Sequence, residues 1–165
     1  MTDASRQIVD QLLAQLDSKD VKERHTARAE LVNIGNSAVP QLVDALDAPR
    51  QHVRWEAAKA LTAIADPSAA ERLAASLGDK DTDVRWVVGE ALIAIGPDAL
   101  QPILNALTKS ELAEGVYEGA HHVLHDLAQR TELTSLLEPV LKAFKEPEPD
   151  IAVPLAAAKA LQDLA

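Results

Sequence analysis

Apolar residues recur along this chain in two alternating phrases. The short phrase stands as QLLAQLD (11–17), QLVDALD (41–47) and RLAASLGD (72–79), and the long one as RAELVNIG (28–35), EAAKALTAIA (56–65) and GEALIAIG (89–96). The last apolar residue of each short phrase falls at Leu16, Leu46, Leu77, Leu107 and Phe144, spaced by 30, 31, 30 and 37. The long phrase anchors at Leu31, Leu61, Leu92, Leu124 and Leu161, spaced by 30, 31, 32 and 37. Two registers moving in step define five repeats, about 4–36, 37–66, 67–96, 97–130 and 131–165, within one domain spanning 1–165. A period of this size marks a solenoid, whose units bury their apolar faces only by stacking on one another.

Each unit reads as a pair of helices. The short ones are expected at 5–16, 38–47, 68–78, 98–108 and 134–145, and the long ones at 20–34, 50–65, 81–95, 113–128 and 151–164. Val53, Ala57, Ala60, Leu61 and Ile64 sit at i, i+4, i+7, i+8 and i+11, a helical stripe that Val84, Val88, Ala91, Leu92 and Ile95 repeat. Gly35, Asp66-Pro67 and Gly96-Pro97 close the long helices, glycine being suited to the left-handed position after a helix. The last two units carry two extra residues between their anchors (17 against 15), and EPEPD (146–150) is expected to be a stiff acidic loop.

Composition narrows the partners. Only four residues are aromatic (two Trp, one Tyr, one Phe), so Leu, Ile, Val and Ala must form the core. The net charge of −10 disfavours non-specific nucleic-acid binding and docking on an anionic membrane. Absence of cysteine, of a signal-peptide pattern and of a long apolar run makes a reducing cytoplasm the expected location.

The recurring phrase D-x-x-V-R-x-x-A-x-x-A-L-x-x-I-G stands most fully as DTDVRWVVGEALIAIG (81–96) and RQHVRWEAAKALTAIA (50–65). It resembles the HEAT-like repeat of the phycobilin-lyase type over essentially the whole chain. The resemblance implies an all-α fold, a right-handed α-solenoid of five helix pairs, with first helices on the convex side and second helices lining a concave groove. Such a motif is specific for fold and poor for function. The family it points to includes adaptors, bilin lyase subunits and a di-iron hydroxylase of a modified lysine.

Arg24, Arg54 and Arg85 share one column, which Tyr117 and Pro154 continue. They are expected to form a structural ladder, each pairing with a carboxylate and with helix-end carbonyls of a neighbouring unit. The next column reads His25, Trp55, Trp86, Glu118 and Leu155, and one turn on it reads Ala29, Lys59, Glu90, His122 and Lys159. One further turn gives Val32, Thr62, Ile93, His125 and Gln162. On a helical repeat these columns form the floor of the groove. Trp55 and Trp86 sit one repeat apart, either as partner-binding anchors or as lids over the seams between long helices, two compatible uses.

Catalytic signals are weak. The His-Glu pairs by which the hydroxylase relatives hold iron read here as His25-Thr26, Trp55-Glu56, Trp86-Val87 and Glu118-Gly119, so no unit has both ligands. Glu118/His122 and His121/His125 are i, i+4 pairs able to chelate, but Glu118 and His125 lie about 10 Å apart along the axis, too far to share an ion. With no phosphate loop, nucleophile elbow or cysteine, no catalytic residue, metal site or cofactor is expected.

The expected function is therefore a non-catalytic scaffold whose concave groove binds a protein or peptide. Its floor would be His25, Trp55, Lys59, Trp86, Glu90, Glu118, His122 and His125. The alternative is a bilin lyase-like or other small-molecule-handling subunit. At the C-terminal end the Ala156/Ala157/Ala160/Leu164 side is expected to face solvent, which predicts weak self-association through that helix or docking of a partner's helix.

Overall fold

A computed structural model describes residues 3–109, 112, 114–130 and 132–164, and all regular structure among them is helical. The helices are α1 (Asp3–Gln15), α2 (Val21–Ile34), α3 (Val39–Ala45), α4 (Gln51–Ile64), α5 (Ala70–Ser76), α6 (Thr82–Ile95), α7 (Leu100–Leu107), α8 (Glu114–Arg130), α9 (Thr134–Ala143) and α10 (Pro149–Leu164). They make an α-solenoid of five pairs. The anchors form its spine: Leu16, Leu31, Leu61, Leu77, Leu92, Leu107 and Leu124 are all buried in one continuous core. Of the EPEPD run, Pro149 and Asp150 belong to the first turn of α10, where the missing proline N–H costs nothing.

Caps and turns set the repeat. Asp20 accepts from the Lys22 amide and Asp81 from those of Asp83 and Val84, opening α2 and α6. After each of the first three long helices a short 3₁₀ turn (Gly35–Ala38, Pro67–Ala69, Gly96–Ala99) carries the chain across to the other layer. The residue at each crossing has positive φ: Gly35 at 69°, Gly96 at 80° and, in the second unit, Ala65 at 52°. Alanine pays a steric penalty there that glycine does not. Ala65→Gly is therefore expected to raise the Tm by roughly 1–4 °C, from about 0.5–1 kcal/mol of relieved strain. An unchanged or lowered melting temperature would show that no strain is held at this crossing.

The stretch Thr82–Leu107 has a mean hydropathy of 1.3, enough on composition to span a bilayer. It is not one rod, because Gly96 and Pro97 break it into α6, a 3₁₀ turn and α7. Of its apolar window, 56% lies inside the fold, so its hydropathy is that of a core segment.

Long helices stack on long helices from α2 through α4 and α6 to α8. The fifth unit departs from that order. The short helix α9 packs on α8, while α10 packs on α9 and on the short helix α7. The two layers are thus exchanged, and α9 runs antiparallel to α8. Thr134 Oγ1 donates to the Ala128 carbonyl at one end, while the Phe144 ring meets Tyr117 and His121 at the other. Among the described residues no 3₁₀ crossing separates α8 from α9, so the chain folds back within its own layer as a helical hairpin.

This corrects two expectations. Leu155, Lys159 and Gln162 are exposed on α10 and take no part in the long-helix face. Ala157 and Ala160 are buried rather than open to solvent, because they face α7 and α9. The apolar side chains that α10 exposes are Ile151, Leu155 and Leu164, so the surface first proposed for self-association does not exist in that form.

Candidate functional site

The arginine column runs along the groove, with Arg24 lining one cleft, Arg85 another, and Arg54 buried between them. Arg24 Nη1 donates to the Ser18 carbonyl at 2.8 Å, Arg54 Nη1 to Ala48 at 3.0 Å and Arg85 Nη1 to Asp79 at 2.8 Å. Each acceptor lies six residues upstream. The carbonyls therefore belong to the turn after the same unit's short helix, and not to a neighbouring unit as expected. A guanidinium there satisfies backbone oxygens that the short helix leaves unpaired.

The carboxylate partners do come from the next unit for the first two arginines. Arg54, only 4% exposed, makes a forked pair with Asp79, Nε to Oδ2 at 2.7 Å and Nη2 to Oδ1 at 2.9 Å. The equivalent position after Arg24 is Ala48, which has no carboxylate, and Glu56 replaces it at 3.4 Å. Glu56, 2% exposed, also accepts from Arg28. Arg85 donates its second nitrogen to Thr82 Oγ1 at 3.0 Å. The hydrogen bond to Asp79 raises the Arg54 pKa against the opposing effect of burial. Burial works against the Asp79 anion, but the bonds from Arg54 and the Asp81 amide outweigh it and hold the carboxyl below its usual value.

Two adjoining clefts open on the long-helix face. The first, about 530 Å³, is lined among others by His25, His52, Trp55, Lys59, Asp83 and Trp86. The second, about 430 Å³, runs between α6 and α8 and includes Arg85, Trp86, Glu118, His121, His122 and His125. Trp86 lines both and divides them. Of the eight expected floor residues, seven line these clefts, and the eighth, Glu90, meets Nε2 of His122 at 3.3 Å.

The two tryptophans are not equivalent. Trp55 is half-buried against the core, with the Arg28 guanidinium 5.7 Å and the Lys59 ammonium 5.6 Å from its ring centre. It is a lid that carries cations. Trp86 is 59% exposed and rests against His122, ring centres 4.9 Å apart at 24°. Gly89, Gly115 and Gly119 line the cleft beside it, and at Gly119 the Leu77 side chain approaches to 3.0 Å of where a Cβ would stand. A Cβ on Gly115 would lie 2.4 Å from Arg85 Cδ, so the arginine chain lies flat across that glycine.

The histidines of α8 divide between two faces. His121 packs edge-on to Phe144 and parallel to His125, at 5.3 and 6.0 Å between ring centres. Burial, then the neighbouring His125, Lys145 and His122, lower its pKa, so it favours the neutral form. Among the described residues no three His, Cys, Asp or Glu side chains converge as metal ligands.

Sequence reasoning missed Glu56, Arg28 and Asp79. A signal for Glu56 existed: it is the only charge in its column of Thr26, Glu56, Val87, Gly119 and Ala156. The pairing of Asp79 with Arg54 could be read only as a carboxylate 25 residues on, a spacing close to one repeat.

Comparison with known families matches HEAT repeats over residues 9–93 and again over 39–124. No curated protein matches the chain. Among solved structures, the chain is similar to the complex of CpcE and CpcF of phycocyanin lyase from Nostoc sp. PCC7120. That match has 24% identity and a TM-score of 0.62, covering 92% of this chain and 96% of the other. It is also similar to an engineered protein at 22% identity and a TM-score of 0.46, covering 94% and 80%. A designed armadillo-repeat protein in complex with the peptide (KR)4 matches at 20% identity and a TM-score of 0.44, covering 94% and 91%.

Proposed function

Because the chain belongs to the HEAT-repeat family, we propose that it is a non-catalytic scaffold that holds a protein or peptide partner in the groove of its long-helix layer. The observation that carries this reading is Trp86, a large apolar side chain left 59% exposed between two clefts on a rigid helical floor. Aromatic anchors of this kind dominate the energetics of protein interfaces. The groove offers positioning groups around it, Lys59 and His25 on one side and Glu118, His122 and His125 on the other. None of them has the convergent geometry of a nucleophile, its base and an oxyanion site.

The test is capture from an extract by the wild-type chain and by Trp86→Ala in parallel. Truncating an anchor worth about 2 kcal/mol lowers affinity roughly thirtyfold, so the specific partner should be retained by the first and lost by the second. Both proteins should melt at the same temperature, since Trp86 is outside the core. Equal capture by the two would remove the groove from the explanation.

A second reading is favoured by the cleft between α6 and α8. Its volume of about 430 Å³ and the exposed Trp86 ring stacked on His122 suit a planar small molecule. On this reading the chain would handle such a molecule as a subunit, in the manner of the phycocyanin lyase it resembles in fold. Saturable quenching of Trp86 by a small ligand, without any captured protein, would favour it.

A further inference from the structure

The two clefts carry different chemistry, and we propose that the groove reads a short extended segment pairing an acidic side chain with an apolar one about three residues away. This rests on the groove reading above and specifies its partner. On a chain of net charge −10, the described lining of the two clefts carries as many basic side chains (Arg24, Lys59 and Arg85) as acidic ones (Glu56, Asp83 and Glu118). All five histidines line the two clefts, His25 and His52 in the first and His121, His122 and His125 in the second. Of the acidic side chains among the described residues, Glu56, Asp83 and Glu118 line them, and Glu56 is engaged by Arg24 and Arg28.

The acidic side chain belongs beside Trp55. Lys59 holds its ammonium 5.6 Å from the Trp55 ring centre, yet neither Lys59 nor His25 in the same cleft makes an ion pair with a described residue. Arg24 in that cleft and Arg28 over the Trp55 ring are both committed to Glu56, and His52 to Asp17 at 2.9 Å. An ammonium positioned on an aromatic face and lacking a counter-charge is a seat for a partner's carboxylate.

The apolar side chain belongs on Trp86. One face of that ring is taken by His122, and the rest of the ring stays open, Trp86 being 59% exposed. A cation is disfavoured because Arg85 lies in the same cleft, offsetting Glu118. The neighbouring helices α4 and α6 set the two seats about 8–10 Å apart, and a segment extended as polyproline II advances about 3.1 Å per residue and returns every third side chain to the same face. That gives the spacing of about three residues. A polynucleotide fits less well, because its binding needs several phosphate-neutralising cations and Lys59 is the unpaired Lys or Arg in the first cleft.

Fluorescence polarisation with labelled 12-residue peptides and the full chain tests the proposal. One set carries Glu and Leu or Phe three residues apart in either order, a second replaces Glu with Lys, and a 12-nucleotide single strand is the third probe. The acidic set should bind about tenfold more tightly than the lysine set, and Lys59→Gln should abolish that preference. Trp86→Ala should weaken both sets. A preference for the lysine set would overturn the acidic assignment while leaving the groove reading intact. Tighter binding of the oligonucleotide would overturn the peptide assignment. No binding above the Trp86→Ala background would remove both the proposal and the groove reading.

Discussion

Arg54→Ala is expected to lower the Tm by roughly 6–20 °C. The substitution strands the buried Asp79 carboxylate and frees the Ala48 and Pro49 carbonyls, which now accept from Arg54 at 3.0 and 3.3 Å. Breaking a buried pair from one side costs about 3–5 kcal/mol, and about 2–4 °C accompanies each kcal/mol in a domain of this size. Lysine should not rescue the site, since it cannot make the fork to both Asp79 oxygens while reaching back to the turn. The effect also has a pH signature. Asp79 titrates below its usual value in the folded chain, so its contribution is present above about pH 4 and fades as the pH falls through the folded pKa. The gap between wild type and variant should therefore narrow in acid. A gap that stays constant down to pH 3, or a variant within 2 °C of wild type, would deny the pair its structural role.

Ala157→Glu is the second large effect, and it decides whether the layers are exchanged at the C-terminal end. Ala157 is fully buried where α10 meets α7 and α9. A glutamate there must either bury an unpaired charge or lift the helix from the stack, at a cost of about 4 kcal/mol or more. Thermal melts should fall by roughly 8–16 °C, and amide exchange should accelerate in α9 and α10 before the first three units. Leu155→Glu, two residues away but 69% exposed, should stay within about 2 °C. If α10 stacked on α8 as the other long helices stack on each other, that contrast between the two positions would not hold. The variants also bear on the open end of the solenoid, where Ile151, Leu155 and Leu164, rather than Ala157 and Ala160, are the apolar groups that water meets.

Much of the groove was legible because a stacked helical repeat converts sequence columns into spatial rows. His25, Trp55, Lys59 and Trp86 meet in one cleft for that reason, and Glu90 reaches His122 one unit on. The inequality of the tryptophans was not legible. Trp55 and Trp86 hold the same place in their repeats, yet Arg28 and Lys59 cover one ring and His122 supports the other. That difference depends on side chains from neighbouring units, not on the helical phase of the tryptophan itself.

By itself the sequence determined the helical class, the number of repeats, the buried leucine spine and the face on which the polar columns lie. All of these follow from period and spacing, which local helix geometry translates directly into position. Tertiary structure alone decided where each arginine ends, since a flexible side chain chooses among carbonyls and carboxylates brought near by packing. It also decided the path of the last unit. Leu137, Val140 and Ala143 of α9 and Val153, Ala157 and Ala160 of α10 are apolar stripes that fit either layer. Packing made the choice between them, placing α9 against α8 and α10 against α7.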